Sequence, residues 1–286
     1  MNWKQTLFWS FSAAAIFYYF LLFGVFVFVG QEEMQLFIPE WWYIREFLFQ
    51  PGGFCAVAGQ WIIQYYRQPM SAVVFHTVLL VGCGFMVYRI LRCFSDKTYL
   101  LFLSLLPVLY LVKMSIHGEY LVDGTVGVVL MLLALSVSLK VRRAGSIAGY
   151  GIASTLFLCG LTGLLSVCYA FLYTLLALLR YKTSRQRLAA SACLIPALFI
   201  YLFSGWLGIP VPLSDGWMPE AYLEIQRLPH YYMYRVWTFF TLSIVGVALF
   251  ARFVPVIGEK SKWMDRVALV VCLITVLVSI DRKSVV

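Results

Sequence analysis

Long apolar runs alternate with short polar stretches along most of this chain. Several runs contain roughly 18 to 23 apolar residues, about the length that a helix needs to cross the hydrocarbon layer of a membrane. Because a helix satisfies its own backbone polar groups, such runs predict an all-α fold, a polytopic transmembrane helix bundle. We place about nine spans in a single transmembrane domain over 1–286, near 6–29, 71–91, 99–116, 122–139, 147–163, 164–179, 188–207, 235–254 and 267–280.

The fifth and sixth spans form one apolar run that is too long for one ordinary span. Gly160, Thr162 and Gly163 lie near its middle. These residues predict a tight hairpin between two spans, and one long tilted helix is the alternative.

The first long loop, over 30–70, predicts short helices that lie along the membrane surface. Pro39 and Pro51 bracket a first short helix that begins with aromatic residues suited to the headgroup layer. Gly52 and Gly53 supply a turn, and a second helix follows from Phe54.

The second loop helix carries two different faces. Its apolar residues at spacings of three and four are Val57, Ala58, Trp61 and Tyr65, and its glutamines are Gln60, Gln64 and Gln68. The pattern predicts an apolar face toward lipid or protein and an amide face toward something polar, either a ligand or plain water.

The composition supports a membrane protein and excludes two other classes. Hydrophobic residues make up 62% of the 286 residues and charged residues 12%. The net charge of +9 is dispersed between apolar runs, which argues against nucleic-acid binding. The seven cysteines contain no CxxC pair, so we interpret them as small packing residues.

The short basic loops set the predicted orientation. Cytoplasmic loops are enriched in lysine and arginine, and four alternate loops follow this rule. Their basic residues are Arg89, Arg92, Lys97, Lys140, Arg142, Arg143, Arg180, Lys182, Arg185, Arg187, Arg252, Lys260, Lys262 and Arg266. The prediction is a multi-pass protein of the bacterial inner membrane with a cytoplasmic N-terminus.

Most acidic residues, and all three histidines, fall at or near the opposite, outer ends of the spans. Longer outer loops could simply collect polar residues, and a polar functional site is the alternative. We interpret His76 as a hydrogen-bonded packing residue. The loop over 208–234 contains four prolines and several aromatic residues, which predicts a structured lid.

Two stretches carry the candidate catalytic residues. Glu32 and Glu33 follow the first span directly, where a partly desolvated carboxylate could act as a general base or bind a divalent metal; simple solvation is the alternative. His117 and Glu119 lie in the polar stretch over 113–123.

That stretch also contains cationic and acidic partners at helical spacing. Lys113 precedes His117 by four residues, and Glu119 precedes Asp123 by four, so each pair could share a helix face. A snorkelling lysine and a solvated turn are the alternative. The candidate substrate-binding residues are Gln60, Gln64, Arg67, Lys113, Asp123 and Arg235.

The stretch from Glu32 to Phe37, the turn Gln50-Pro51-Gly52-Gly53 and the later Gln60 and Gln64 resemble the opening of an uncharacterised family of bacterial multispanning proteins. This resemblance covers about the first 70 residues in detail and the remainder by hydropathy. It implies a fold and no activity.

The layout also resembles the C-type membrane glycosyltransferases, which use polyprenyl-phosphate-linked sugars at the outer side of the membrane. In that superfamily an acid just after the first span is catalytic or binds metal, a role that Glu32 or Glu33 would fill here. The Glu-Glu pair departs from the aspartate often found there. Those enzymes also tend to have more spans or a soluble domain, which leaves open whether residue 286 is the natural end.

The resemblance implies an enzyme that transfers a sugar from a membrane lipid carrier. Its cofactor is undetermined, with a divalent metal ion as one option. Two other functions remain open. A non-catalytic assembly or scaffold subunit would bind a protein partner through its outer loops, and a transporter would need a polar path through the spans, of which the sequence contains little sign.

Overall fold

The computed structural model describes residues 3–34, 37–95, 97–117, 120–203 and 228–253. These ranges contain thirteen α-helices, one short 3-10 helix over Gln64–Arg67 and no strand, which confirms the all-α fold. The helices are α1 Trp3–Phe23, α2 Val25–Met34, α3 Trp41–Leu48, α4 Gly53–Ile63, α5 Pro69–Leu91, α6 Tyr99–Leu103, α7 Leu105–Met114, α8 Val122–Ser138, α9 Ala144–Thr162, α10 Leu165–Arg180, α11 Ser184–Ser191, α12 Leu194–Leu202 and α13 Leu228–Phe253.

Local sequence explains why several predicted spans are interrupted. Gly24 separates α1 from α2, and α2 continues to Met34, so the first helical unit ends later than the predicted residue 29. Pro107 lies in the first turn of α7, and Pro196 in the first turn of α12. A proline has no N–H to donate to the preceding turn, which favours a break just before it.

Among the described residues, three helices are long and apolar enough to cross a membrane: Gln5–Phe23, Pro69–Leu91 and Ala144–Thr162. Four shorter apolar stretches are Tyr99–Met114, Val122–Ser138, Leu165–Arg180 and Val236–Arg252. Helical segments therefore occupy most of the predicted span positions. Only three of the described helices reach full length, so the number of about nine spans stays a prediction. The predicted span at 267–280 and most of the predicted lid, 208–227, lie outside the described residues. The end of that lid, from Leu228, belongs to α13.

The first loop has the predicted helix, turn and helix. Helix α3 lies between Pro39 and Pro51, Gly52 has φ of 85°, and α4 begins at Gly53. The face of α4 that packs against the protein differs from the apolar face singled out in the sequence. Its buried residues are Gly53, Cys55, Gly59, Ile62 and Ile63, whereas Trp61 and Tyr65 remain 46% and 41% exposed.

The predicted hairpin between α9 and α10 is confirmed. Helix α9 ends at Thr162, α10 begins at Leu165, and Gly163 between them has φ of 62°. The turn before α4 packs onto this hairpin, because the N–H of Gly52 donates to the carbonyl of Gly160 at 3.1 Å.

The connections between the helices gather at two ends of the bundle. At the Asp123 end, the turn at 49–52, the turn at Gly163 and the start of α8 come together, since Gly127 lies where Cys55, Thr162 and Leu165 converge. At the basic end, segments 139–143 and 181–183 are joined by a hydrogen bond from the Tyr181 hydroxyl to the Val141 carbonyl at 2.6 Å. One hydrophobic core connects the helices between these ends.

Candidate functional site

Helix α2 meets the segment between α7 and α8 at the Asp123 end. The side-chain amide of Gln31 donates to the backbone carbonyl of Tyr120 at 3.0 Å, and this hydrogen bond is buried. The next residue, Glu32, is half-buried in the last helical turns of α2. The helix that carries this acid therefore contacts the segment that leads into Asp123, through Gln31.

Asp123 is pressed against α4 at Gly59. A Cβ atom at position 59 would lie 2.6 Å from the Asp123 Cβ and 3.0 Å from its Cα, so only glycine permits this approach. One carboxylate oxygen, Oδ1, accepts the N–H of Gly124 at 2.7 Å. The aspartate is half-buried in the first turn of α8, where a negative charge suits the positive end of the helix dipole.

A buried tyrosine and histidine form a pair behind this contact. The Tyr66 hydroxyl lies 2.7 Å from Nε2 of His76, and Phe28 stacks on the His76 ring at 4.3 Å between ring centroids. His76 is thus the hydrogen-bonded packing histidine that the sequence predicts. Its other nitrogen, Nδ1, is buried and has no hydrogen-bond partner among the described residues.

Tyr120 anchors the start of α8. Its side chain is fully buried, and its hydroxyl accepts a hydrogen bond from Thr125 Oγ1 at 3.2 Å. Trp237 of α13 lies close to this hydroxyl. Helices α2, α8 and α13 therefore all meet at the same tyrosine.

The Asp123 carboxylate affects the pKa of three side chains around it. Burial raises the pKa of Cys55, Tyr66 and Tyr120, and the nearby Asp123 carboxylate raises the pKa of each further. We define the Asp123 cluster as the polar residues Gln31, Tyr66, His76, Tyr120 and Asp123. It offers one carboxylate next to neutral hydroxyl, amide and imidazole groups, an arrangement able to accept a proton from a hydroxyl group.

The other predicted site residues are more scattered. Gln64, Arg67 and His117 are exposed, and Lys113 is half-buried. Gln60 is half-buried and accepts a hydrogen bond from the Tyr43 hydroxyl at 3.1 Å. Glu119 and the side chains of Glu33 and Arg235 lie outside the described residues.

Tyr66 and Tyr120 were missed as site residues in the sequence. A signal for Tyr66 existed, because Cys55, Gly59, Ile62 and Tyr66 recur at spacings of four, three and four, which marks one face of α4 and the following turn. Nothing local distinguishes Tyr120 from the many other tyrosines of the chain.

A metal site receives no support from the described residues, which contain no group of three or more His, Cys, Asp or Glu side chains able to hold an ion. The six described cysteines are free thiols, and Cys55, Cys83 and Cys193 are buried, which fits a packing role.

The fold and the cluster define an all-α protein with several apolar helices and a polar cluster at one end. The chain belongs to DUF6057, a family of unknown function whose pattern matches residues 1–284. The resemblance noticed over the first 70 residues, to an uncharacterised family, is therefore supported over nearly the whole chain. No curated protein and no solved structure matches it.

Proposed function

We propose that this protein crosses the bacterial inner membrane several times, with a cytoplasmic N-terminus, and acts on a lipid-linked sugar as a glycosyltransferase-like enzyme. The Asp123 cluster would lie at the outer side and form part of its site. The observation that carries the proposal is the hydrogen bond from Gln31 to Tyr120, because it joins the acidic stretch after the first helix to the segment that leads into Asp123.

Exposed apolar side chains support the membrane part of the proposal. Phe11 on α1 is 77% exposed, Phe26 on α2 is 88% exposed, and Ile195 on α12 is 72% exposed. Large apolar surfaces of this kind are unfavourable in water and favourable against lipid. The shorter apolar helices would then cross beside the three full-length ones.

The proposed chemistry needs a base and a cationic group. A carboxylate of Glu32 or Asp123 would take the proton of an acceptor hydroxyl, whose oxygen bonds to the anomeric carbon of the sugar. The bond from that carbon to the phosphate oxygen breaks, and the lipid phosphate leaves with the electron pair. Lys113 at the end of α7 and Arg67 after α4 are two cations that could stabilise the phosphate.

The surroundings of Asp123 favour this carboxylate for the role of base. Its backbone is held by Gly59 on one side and by the helix start on the other, so its position is set by packing. The neighbouring Tyr66 hydroxyl is itself tied to His76. A rigid, half-buried carboxylate loses little entropy when a substrate hydroxyl approaches it.

The test replaces the candidate carboxylates without changing their size. Cells that lack this protein would be complemented with Glu32→Gln, Asp123→Asn or Glu40→Gln, an exposed acid at the start of α3 that serves as the matched control. We expect the base variant to lose about 100-fold or more of the product. Mass spectrometry of lipid-linked sugars and glycolipids would show the donor accumulating, while Glu40→Gln behaves as the unaltered protein.

Full product in cells that carry both Glu32→Gln and Asp123→Asn would refute the enzymatic proposal. It would favour the second function, a non-catalytic assembly subunit. Helix α3 supports that alternative, because it has no buried residue and exposes Trp41 and Trp42 by 67% and 62%. Stable co-purification with another protein, lost on Trp41→Ala and Trp42→Ala, would establish it.

A further inference from the structure

The basic end of the bundle carries a concentrated positive charge. Six exposed cations lie on its two joined segments: Lys140, Arg142, Arg143, Lys182, Arg185 and Arg187. No aspartate or glutamate occurs in the sequence between Asp123 and Asp215, so the segments that form this surface contain no acid of their own. Such a surface attracts anions over a range of several ångströms.

Hydrogen bonds join the two basic segments into one surface. The Gln186 side chain donates to the Arg142 carbonyl at 2.7 Å, and the Tyr181 hydroxyl donates to the Val141 carbonyl at 2.6 Å. Arg187 Nε donates to the Tyr181 carbonyl at 2.8 Å. The cations of 140–143 and 182–187 are therefore held side by side.

Beneath this surface, Arg180 has a side-chain donor that no described residue satisfies. Nη1 of Arg180, in the last turn of α10, is buried and has no hydrogen-bond partner among the described residues. A buried guanidinium donor without a partner is costly, and a phosphate oxygen is the acceptor that guanidinium groups bind best. The exposed arginines and lysines above it favour a phosphate-bearing ligand at this end.

Apolar side chains next to the cations indicate a lipid source for this phosphate. Leu188 of α11 is 75% exposed, and the following helix α12 exposes Ile195 by 72% and Leu198 by 59%. A soluble phosphate would make no apolar contact with these side chains, whereas the acyl chains of a phospholipid would cover them.

We propose that the basic end binds the headgroup of an anionic phospholipid through the cations of 140–143 and 182–187. The acyl chains lie along α11 and α12. The inference depends on membrane insertion and is independent of any reaction at the Asp123 end.

The experiment compares lipid binding by the purified full chain in detergent. Phosphatidylglycerol and phosphatidylcholine are titrated separately, and native mass spectrometry counts the lipids that each protein retains. We expect tighter binding of phosphatidylglycerol, weakened by added salt. The double variant Arg142→Gln and Arg185→Gln should weaken it by about fivefold for each cation removed. The control is Arg45→Gln, compared with the single variant Arg142→Gln, because each removes one charge and Arg45 is an exposed residue of α3 away from the basic segments.

Three results would overturn the inference. Equal binding of the two lipids by the unaltered protein, independent of salt, would do so without any variant. An equal loss in the control variant would show that net charge matters and position does not. Complete displacement by soluble glycerol phosphate would identify a free phosphate site instead of a lipid site.

Discussion

At the scale of single residues, the closest contact of the candidate site is between Gly59 of α4 and Asp123 of α8. The absence of a side chain at position 59 lets the two helices touch backbone to backbone. Asp123 is recognisable in the sequence as a candidate because acids are rare in apolar runs. Gly59 is not recognisable as its partner, since a glycine in a helix indicates a close approach without identifying the residue that approaches.

We predict that Gly59→Ala destabilises the fold by about 1–3 kcal/mol, because the added methyl group forces α4 and α8 apart. The free energy of unfolding in mixed micelles measures this change. Gly82→Ala in α5 is the control, since a Cβ there meets nothing within 4 Å. Equal stability of both variants would contradict the contact.

At the scale of elements, local sequence rules account for most boundaries. Prolines 39 and 51, the turn at Gly52 and the glycine between α9 and α10 mark helix ends that the structure confirms. The orientation of α4 was not predictable in this way. Besides its glutamines, α4 has apolar residues on more than one side, so periodicity identifies a helix without showing which apolar side meets the protein.

We predict that Gly163→Ala costs about 1–3 kcal/mol of stability, because its φ of 62° and ψ of −129° are accessible to glycine and strained for alanine. Gly160→Ala is the matched control, three residues earlier and inside α9, where a Cβ meets nothing within 4 Å. The same unfolding measurement applies. A loss in Gly160→Ala as large as in Gly163→Ala would refute the argument from backbone conformation.

At the scale of the whole molecule, Asp123 lies at one end of the bundle and the basic segments 140–143 and 182–187 lie at the other. If the chain crosses the membrane as proposed, the turn at 49–52 is outside and segment 181–183 is inside. Labelling of exposed cysteines from outside the cell distinguishes these two sides of the membrane. Cys93, at the end of α5, is exposed and provides a natural reporter on the basic side.

We predict that a membrane-impermeant maleimide labels Gln50→Cys in intact cells, since Gln50 is exposed in the turn before α4. Lys182→Cys, in a Cys93→Ser background, should be labelled only after the membrane is opened. Mass spectrometry of the purified protein measures the labelled fraction. Labelling of Lys182→Cys in sealed cells would contradict the proposed orientation.

The sequence by itself determined the helical fold and the distribution of charge, because apolar run length, prolines, glycines and basic loops act over a few neighbouring residues. The tertiary structure alone decided that Gln31 reaches Tyr120, that Gly59 meets Asp123 and that Tyr66 pairs with His76. These contacts depend on how helices distant in sequence pack. Packing depends on the shapes of facing side chains, which residue spacing within one helix does not specify.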